Sequence, residues 1–333
     1  MTAAWIKFLI CAGIITVAGA ALTRYGDLIA RRTGLSRNWI GLALLATATS
    51  LPELFTGISA VTIVNAPNIA VGDALGSCVF NLAMFVVLDL MHRQEPMYGR
   101  VDQAHILTAG FGIILIGFVG ASLLLWRDGP AAGFRHIGAY TPIIMVLYFV
   151  AMRAAFVYQQ RIAHIAEAAD AYPHVTLPGA IARYLAAAIC IAAAGTWLPF
   201  IGVELADVMG WRTTFVGTLF IAAATSLPEV VVTISALRLG ALDMAMANLL
   251  GSNLFNVVVI AIDDIAYLRG PLLSSVSPVH GITAFAATIM SGIVIVALLY
   301  RPVTRLRGTI GWISLSLLLV YLLSSYAIFL HGH

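Results

Sequence analysis

The sequence predicts an all-α integral membrane protein with ten transmembrane helices arranged as two inverted five-helix repeats. Three observations lead to this fold class: the apolar composition, the number of long apolar runs, and a polar motif that occurs twice. The chain has 333 residues, of which 61% are hydrophobic and only 10% are charged. A soluble domain of this length would carry about a quarter charged residues, so a lipid bilayer must surround most of this surface.

Ten apolar runs are long enough to cross the hydrocarbon core of a bilayer, which takes about 20 residues of helix. The remaining intervals are too short for a separate domain, so we expect a multi-pass membrane protein without a soluble appendage. The predicted spans are roughly residues 3–23, 38–64, 69–91, 104–126, 136–157, 179–200, 213–237, 243–266, 280–300 and 309–330.

The basic residues indicate the orientation. If the N-terminus lies outside the cell, thirteen of the 18 lysines and arginines fall on the cytoplasmic side and five fall on the outer side. Because positively charged loops stay cytoplasmic, we predict an N-out, C-out protein of the plasma membrane, which is the inner membrane of a bacterium. The net charge of +3 therefore reflects topology, and we expect no nucleic-acid partner. The sequence makes no protein partner evident.

A polar motif recurs in the two halves of the chain. The segment Ala46–Ala60, ATATSLPELFTGISA, is repeated as AAATSLPEVVVTISA at Ala222–Ala236, with ten identical residues and no gap. Further along, GSCVFN at 76–81 matches GSNLFN at 251–256. Two related segments thus run over 41–81 and 217–256.

The repeat divides the chain into two halves. We predict a first repeat over 1–155 and a second over 179–333, joined by a short cytoplasmic linker over 156–178. Each half contains five predicted spans, and an odd number makes the second half enter the membrane upside down. Inverted repeats are typical of transporters that work by alternating access, with the substrate site near the midplane.

Each copy of the motif places one glutamate, Glu53 or Glu229, inside an apolar run. A charged side chain at the bilayer centre costs at least about 2.5 kcal/mol, which makes it a candidate functional residue. The four runs that carry the motifs contain no Lys, Arg or His in their interiors. Protons or bound cations must therefore neutralise the two carboxylates, and we predict one shared cation site.

Hydroxyl and amide side chains lie at helical spacing around each glutamate. Pro52 and Pro228 disrupt the preceding helical turns, which makes main-chain carbonyls and a negative helix end available to a cation. Oxygen ligands of these kinds suit Ca²⁺ or Na⁺, and the absence of paired Cys or His ligands disfavours zinc and copper. The predicted side-chain ligands are Glu53, Glu229, Thr49, Ser50, Thr225, Ser226, Ser77, Asn81, Ser252 and Asn256.

Other acidic residues in the apolar runs are weaker candidates. Asp73 precedes Ser77 by one helical turn and corresponds to an asparagine, Asn248, in the second half. Three further acids, Asp89, Asp263 and Asp264, lie at helix ends, where we expect water at the membrane interface to solvate them.

The paired motifs closely resemble the alpha repeats of the sodium/calcium exchanger family, within the calcium/cation antiporter superfamily, and the likeness covers nearly the whole chain. It implies electrogenic exchange of several Na⁺ for Ca²⁺, with no enzyme activity and no cofactor beside the transported ions. Glu53 and Glu229 would be the central shared ligands, completed by the other residues above and by the carbonyls of Ala46 and Ala222. The first and sixth helices would slide as the gate. The chain resembles prokaryotic members, because it lacks the large regulatory loop of animal exchangers.

Two positions depart from the family pattern: Asn256 stands where some members have aspartate, and Cys78 stands where asparagine is common. The acidic motif of the proton-coupled branch is not found, which favours Na⁺ as the driving ion. H⁺-driven antiport of Ca²⁺, or transport of another divalent ion such as Mn²⁺ or Mg²⁺, remains open as the alternative. A membrane-embedded hydrolase using the two glutamates as acid and base is disfavoured, because the core runs contain no histidine or nucleophile–base pair.

Overall fold

The computed structural model describes residues 2–32, 46–91, 97–99, 101–126, 133–162, 175–238, 240–302, 305–306 and 310–331. Most of these residues are helical. Their α-helices are α1 Thr2–Arg32, α2 Ala46–Thr49, α3 Leu51–Ser59, α4 Pro67–Met91, α5 Ala104–Leu125, α6 Tyr140–Ile162, α7 Leu177–Met209, α8 Thr213–Phe215, α9 Ala222–Thr225, α10 Leu227–Arg238, α11 Leu242–Ala266, α12 His280–Tyr300 and α13 Trp312–His331. Wider π-helical turns follow α3 at Ala60–Val64 and α8 at Val216–Ile221, and 3₁₀ turns occur at Met97–Gly99 and Leu272–Ser274.

Eight of the described helices are long and apolar enough to cross a membrane, namely α1, α4, α5, α6, α7, α11, α12 and α13. A ninth crossing in the described part of the chain consists of Thr213–Thr225 and α10, with a bend of 43° between them. The predicted span 38–64 is described only from α2 onward, since residues 33–45 lie outside the described ranges. The multi-pass helical fold is confirmed, and the total of ten crossings stays a prediction.

Several helices extend beyond their predicted spans. The first runs to Arg32 where the apolar run ends at 23, and α6 continues to Ile162, past the predicted start of the linker. The extra turns of α7 reach Met209 and bury Ile201 and Leu205. Hydropathy locates the part of a helix that lies in hydrocarbon, whereas main-chain hydrogen bonding continues the helix into the interface.

Two helices, α4 and α11, form the centre of the protein. Within their apolar stretches 72% and 89% of residues are buried by protein, against 22% in α13. They run in opposite directions: Asn68 at the start of α4 accepts a hydrogen bond from the N–H of Ser277, beyond the end of α11. At the other end Asp243 of α11 accepts from the N–H of Asp102, which follows α4. The helices that carry the two GSxxxN motifs therefore pack antiparallel.

A two-stranded antiparallel hairpin precedes α6 and another precedes α13. The first pairs β1 Gly133–Phe134 with β2 Ile137–Gly138, and the second pairs β3 Arg305–Leu306 with β4 Ile310–Gly311. In both cases an aspartate near the end of a central helix receives hydrogen bonds from the start of the transmembrane helix that follows the hairpin.

Asp264 of α11 accepts from the hydroxyl groups of Tyr140 and Thr141 at the start of α6. Asp89 of α4 accepts from the hydroxyl of Ser314 in α13 at 2.7 Å. Both aspartates are buried. The expectation that interfacial water solvates them was wrong, because the hairpin segments fold over these helix ends and supply protein donors instead.

The first and seventh helices pack along each other. The ammonium group of Lys7 lies 2.7 Å from a carboxylate oxygen of Glu204. The thiol of Cys11 donates to the carbonyl of Ala194 at 3.2 Å. These contacts join α1 and α7 into one pair.

The α1–α7 pair touches both repeated motifs through glycines. A Cβ atom on Gly19 of α1 would lie 2.4 Å from Cγ of Pro228, and one on Gly195 of α7 would lie 3.0 Å from the carbonyl oxygen of Pro52. Each helix therefore approaches the proline of the other half of the chain as closely as a residue without a side chain allows.

We expect Gly19→Ala and Gly195→Ala each to lower stability by about 1–3 kcal/mol, the usual cost of overpacking. Gly13→Ala is the matched control on α1, because a Cβ there meets no atom within 4 Å and alanine is the better helix former. Thermal unfolding of the purified proteins in detergent measures the difference. Equal melting temperatures for the three variants would contradict the close contacts.

Candidate ion-binding site

Both motif helices are interrupted at the serine that precedes Leu-Pro-Glu. Ser50, with φ −88° and ψ 12°, separates α2 from α3, and Ser226, with φ −81° and ψ 5°, separates α9 from α10. Pro52 and Pro228 lack an N–H and clash with the preceding turn, which explains the interruptions. Polar main-chain and side-chain atoms are thereby brought together beside the two glutamates.

All twelve predicted site residues lie in the protein interior. Ala46 is 1% exposed, and the following eleven are 0% exposed: Thr49, Ser50, Glu53, Ser77, Asn81, Ala222, Thr225, Ser226, Glu229, Ser252 and Asn256. The candidate site is therefore buried inside the protein.

Hydrogen bonds cross between the two halves at the glutamates. The hydroxyl of Ser50 donates to Oε1 of Glu229 at 3.1 Å, and the hydroxyl of Ser226 donates to Oε1 of Glu53 at 3.2 Å. Ser77 also lies 3.3 Å from this oxygen of Glu53. The serine of each motif thus holds the glutamate of the other.

The threonines contact the carbonyls that were predicted as ligands. Oγ1 of Thr49 lies 3.2 Å from the carbonyl oxygen of Ala46 and 3.4 Å from Oγ of Ser252. Thr225 likewise lies 3.2 Å from the carbonyl oxygen of Ala222. Both carbonyls already accept hydrogen bonds from the protein, so an ion that binds them has to compete with these hydroxyls.

Four predicted ligand oxygens have no hydrogen-bond partner among the described residues: Oε2 of Glu53, Oε2 of Glu229, Oδ1 of Asn81 and Oδ1 of Asn256. A buried acceptor left without a partner costs about 1–3 kcal/mol, and a charged one costs more. The ion pairs of the described residues involve neither glutamate. An enclosed, negatively charged set of free oxygens is the ligand set that Ca²⁺ and Na⁺ require.

Asp73 adds a third carboxyl group to this set. It is 1% exposed, its Oδ1 accepts from Thr225 at 2.8 Å, and its Oδ2 has no partner in the described part of the chain. The corresponding residue of the other half, Asn248, lies 3.5 Å from Thr49. Asp73 was a candidate in the sequence because it precedes Ser77 by one helical turn.

Asn253 is not among the predicted site residues, yet it orients one of them. Nδ2 of Asn81 donates to Oδ1 of Asn253 at 3.1 Å, and Nδ2 of Asn253 donates to the carbonyl of Cys78 at 3.3 Å. The first bond uses the amide nitrogen of Asn81 and so leaves its oxygen for a ligand. Cys78 and Asn253, which correspond in the repeat, therefore contact each other directly.

The described helices are apolar and long enough to cross a membrane several times, and they enclose a buried polar cluster. This arrangement is typical of a multi-pass membrane transporter. The model of the family described as sodium/calcium exchanger protein matches residues 3–158 and 180–330. The chain belongs to this family, whose members are cation/Ca²⁺ antiporters and not enzymes.

Individual proteins resemble the chain over most of their length. It is 26% identical over 277 residues to the inner membrane protein YrbG of Escherichia coli K12, covering 78% of this chain and 82% of YrbG. It is 26% identical over 261 residues to the sodium/calcium exchanger MaX1 of Methanosarcina acetivorans, covering 70% and 74%.

Solved structures share the fold. The sodium-calcium exchanger NCX_Mj, soaked with Na⁺ and Ca²⁺, superimposes with a TM-score of 0.61 at 20% identity, covering 96% of this chain and 97% of NCX_Mj. The native form of YfkE superimposes with a TM-score of 0.69 at 16% identity, covering 97% and 91%. At these identities the similarity establishes the architecture alone.

Asn253→Ala and Asn256→Ala test how the asparagines of α11 are used. The first variant removes two hydrogen bonds and leaves the buried amide N–H of Asn81 unpaired, so we expect a loss of about 1–3 kcal/mol. The second removes polar atoms that have no partner among the described residues, so stability should stay equal or rise. Thermal unfolding in sodium- and calcium-free buffer measures both, and the reverse order would refute these roles.

Proposed function

We propose that the chain exchanges Na⁺ for Ca²⁺ across the membrane by alternating access. The observation that supports this function is the buried cluster in which Glu53 and Glu229 each accept a hydrogen bond from the other motif and each keep a free carboxylate oxygen. Two carboxylates match the charge of one Ca²⁺, and several Na⁺ ions can replace it on the same oxygens. The names of the family and of MaX1 agree with this assignment.

In this proposal Glu53 and Glu229 are ligands shared by all bound ions. Thr49, Ser50, Ser77 and Asn81 complete the site from the first half, and their equivalents Thr225, Ser226, Ser252 and Asn256 complete it from the second. The carbonyls of Ala46 and Ala222 turn to an ion when the threonine hydroxyls release them.

Asp73 compensates for the neutral side chain of Asn256. Its free Oδ2 and its bond to Thr225 place a third carboxyl group at the edge of the site. The site thus keeps three carboxyl groups although the second GSxxxN motif ends in an asparagine.

Alternating access follows from the inverted halves. We propose ten spans in two inverted repeats, with both termini outside the plasma membrane. The α1–α7 pair lies against Pro228 and Pro52 through Gly19 and Gly195, where it covers the interrupted helices. Its displacement to one side or the other opens the site to one membrane face at a time.

We expect Glu53→Gln and Glu229→Gln each to lower Na⁺-driven Ca²⁺ uptake by at least about a hundredfold, because a buried charge loses its partner at a cost of about 3–5 kcal/mol. Ca²⁺ should also cease to raise the melting temperature of either variant, since only a bound ligand stabilises the folded state. Asp207→Asn is the control, because Asp207 is an exposed acid near the end of α7 and lies outside the candidate site. Near-normal uptake in a glutamine variant would exclude that residue as a central ligand.

The driving ion is tested in proteoliposomes with imposed gradients. Vesicles loaded with Na⁺ should accumulate Ca²⁺, and a membrane potential should change the rate if more than two Na⁺ are exchanged for each Ca²⁺. Equal uptake without Na⁺, driven by a pH gradient alone, would establish the H⁺-coupled alternative. Competition of Mn²⁺ and Mg²⁺ with Ca²⁺ in the same vesicles tests the divalent selectivity.

A further inference from the structure

Two adjacent aspartates near the end of α11 have opposite environments. Asp264 accepts hydrogen bonds from the main chain of Gly138 and Leu272 as well as from the hydroxyls of Tyr140 and Thr141. Asp263 is equally buried, at 0% exposure, yet neither of its carboxyl oxygens has a partner among the described residues. The hydrogen bonds of Asp264 hold the start of α6 in place. They explain why Asp264 is buried, but they do not explain the burial of Asp263.

The side chain of Asp263 packs against α3 at Gly57, where α3 has no side chain. A Cβ atom on Gly57 would lie 2.3 Å and 2.6 Å from the two carboxyl oxygens of Asp263, so no larger residue fits at position 57 without displacing the acid. Gly57 follows Glu53 by one helical turn. The carboxyl group of Asp263 therefore lies beside α3, one turn beyond the candidate site.

The spacing of residues along α11 also places Asp263 on the same side of the helix as the candidate site. Asp263 follows Asn256 by seven residues and Ser252 by eleven, which puts all three on one face of the helix at about 3.6 residues per turn. Because α4 runs antiparallel to α11, Asp73, one turn before Ser77, is displaced from the site toward the same end. Asp73 and Asp263 therefore both lie on the side of the site at which α11 ends.

Among the described residues, this arrangement occurs at one end of the protein. The residues that correspond to Gly57 and Asp263 in the repeat are Thr233 and Leu88. At the other end of the site, Thr233 therefore takes the place of the glycine and Leu88 takes the place of the buried acid.

We propose that Asp263 is a cation-binding position on the route between the site of Glu53 and Glu229 and the membrane face at which α11 ends. This inference rests on the proposed transport function. A cation that leaves the central site in this direction passes Asp73 and then Asp263, whose free oxygens replace part of its hydration shell. Under the proposed orientation this is the outer face.

Sided transport measurements test the position. In Asp263→Asn proteoliposomes, the Ca²⁺ concentration for half-maximal exchange should rise about tenfold when Ca²⁺ is applied at the face where α11 ends, the lower range of what a charged passage contributes. The same concentration should stay unchanged at the opposite face. Asp207→Asn is the matched control, because Asp207 is an exposed acid near the end of α7.

The outcomes separate this inference from the transport function. Suppose that the unmodified chain takes up Ca²⁺ in exchange for Na⁺. If the Ca²⁺ concentration for half-maximal exchange by Asp263→Asn is then unchanged, or changes equally at both faces, the role of Asp263 is overturned and the transport function stands. An equal effect of Asp207→Asn overturns it as well, because surface charge then explains the result.

A second measurement does not depend on transport. Dicyclohexylcarbodiimide, an apolar reagent for protonated carboxyl groups, should modify Asp263 in cation-free buffer, and Ca²⁺ or Na⁺ should prevent the modification. Peptide mass spectrometry locates the adduct, and Asp263→Asn supplies the blank. If the unmodified chain carries no Ca²⁺, this protection still decides whether Asp263 binds cations, and labelling that is absent or indifferent to both ions overturns the inference.

Discussion

Glu53 and Glu229 lie in an apolar interior with free carboxylate oxygens and, in the described part of the chain, without a positively charged side chain beside them. In a low-dielectric interior such a pair is unfavourable until a cation or protons neutralise it. The surrounding helices therefore have to hold an arrangement that stays unfavourable until one of these partners is present. Interrupted helices, bridging hydroxyls and close helix contacts all serve that one requirement.

The hydroxyl groups link the site to the fold. Because Ser50 bonds Glu229 and Ser226 bonds Glu53, neither half contains a complete site. The antiparallel packing of α4 and α11 brings the motifs together, and Asn253 fixes the amide of Asn81 from across that interface. The contacts that pack the central helices therefore also position the predicted ligands.

Much of the architecture follows from the sequence by simple physics. The apolar runs locate the long helices because hydrocarbon requires continuous apolar surface. The repeated motif contains the residues that the structure brings together in one buried cluster. Whether these residues bind ions stays a prediction. The hairpins before α6 and α13 and the burial of Asp264 could not be predicted, because they depend on loops folding over helix ends far away in the chain.

Asparagine and cysteine at equivalent positions illustrate a further limit. Comparison of the repeats shows that Cys78 and Asn253 correspond, but a comparison of this kind cannot show that they touch. Asp263 is a similar case, since its position near a helix end suggests contact with water, and only the packing of α3 reveals that it is enclosed.

The contact between Gly57 and Asp263 joins residues from the two halves of the chain. After an ancestral duplication both ends of the protein would have carried the same pair, yet one end now has glycine with aspartate and the other has threonine with leucine. Glycine at position 57 is compatible with the buried acid, whereas a residue with a Cβ atom would displace it. Divergence between the halves has therefore left the two ends of the protein chemically different at equivalent positions.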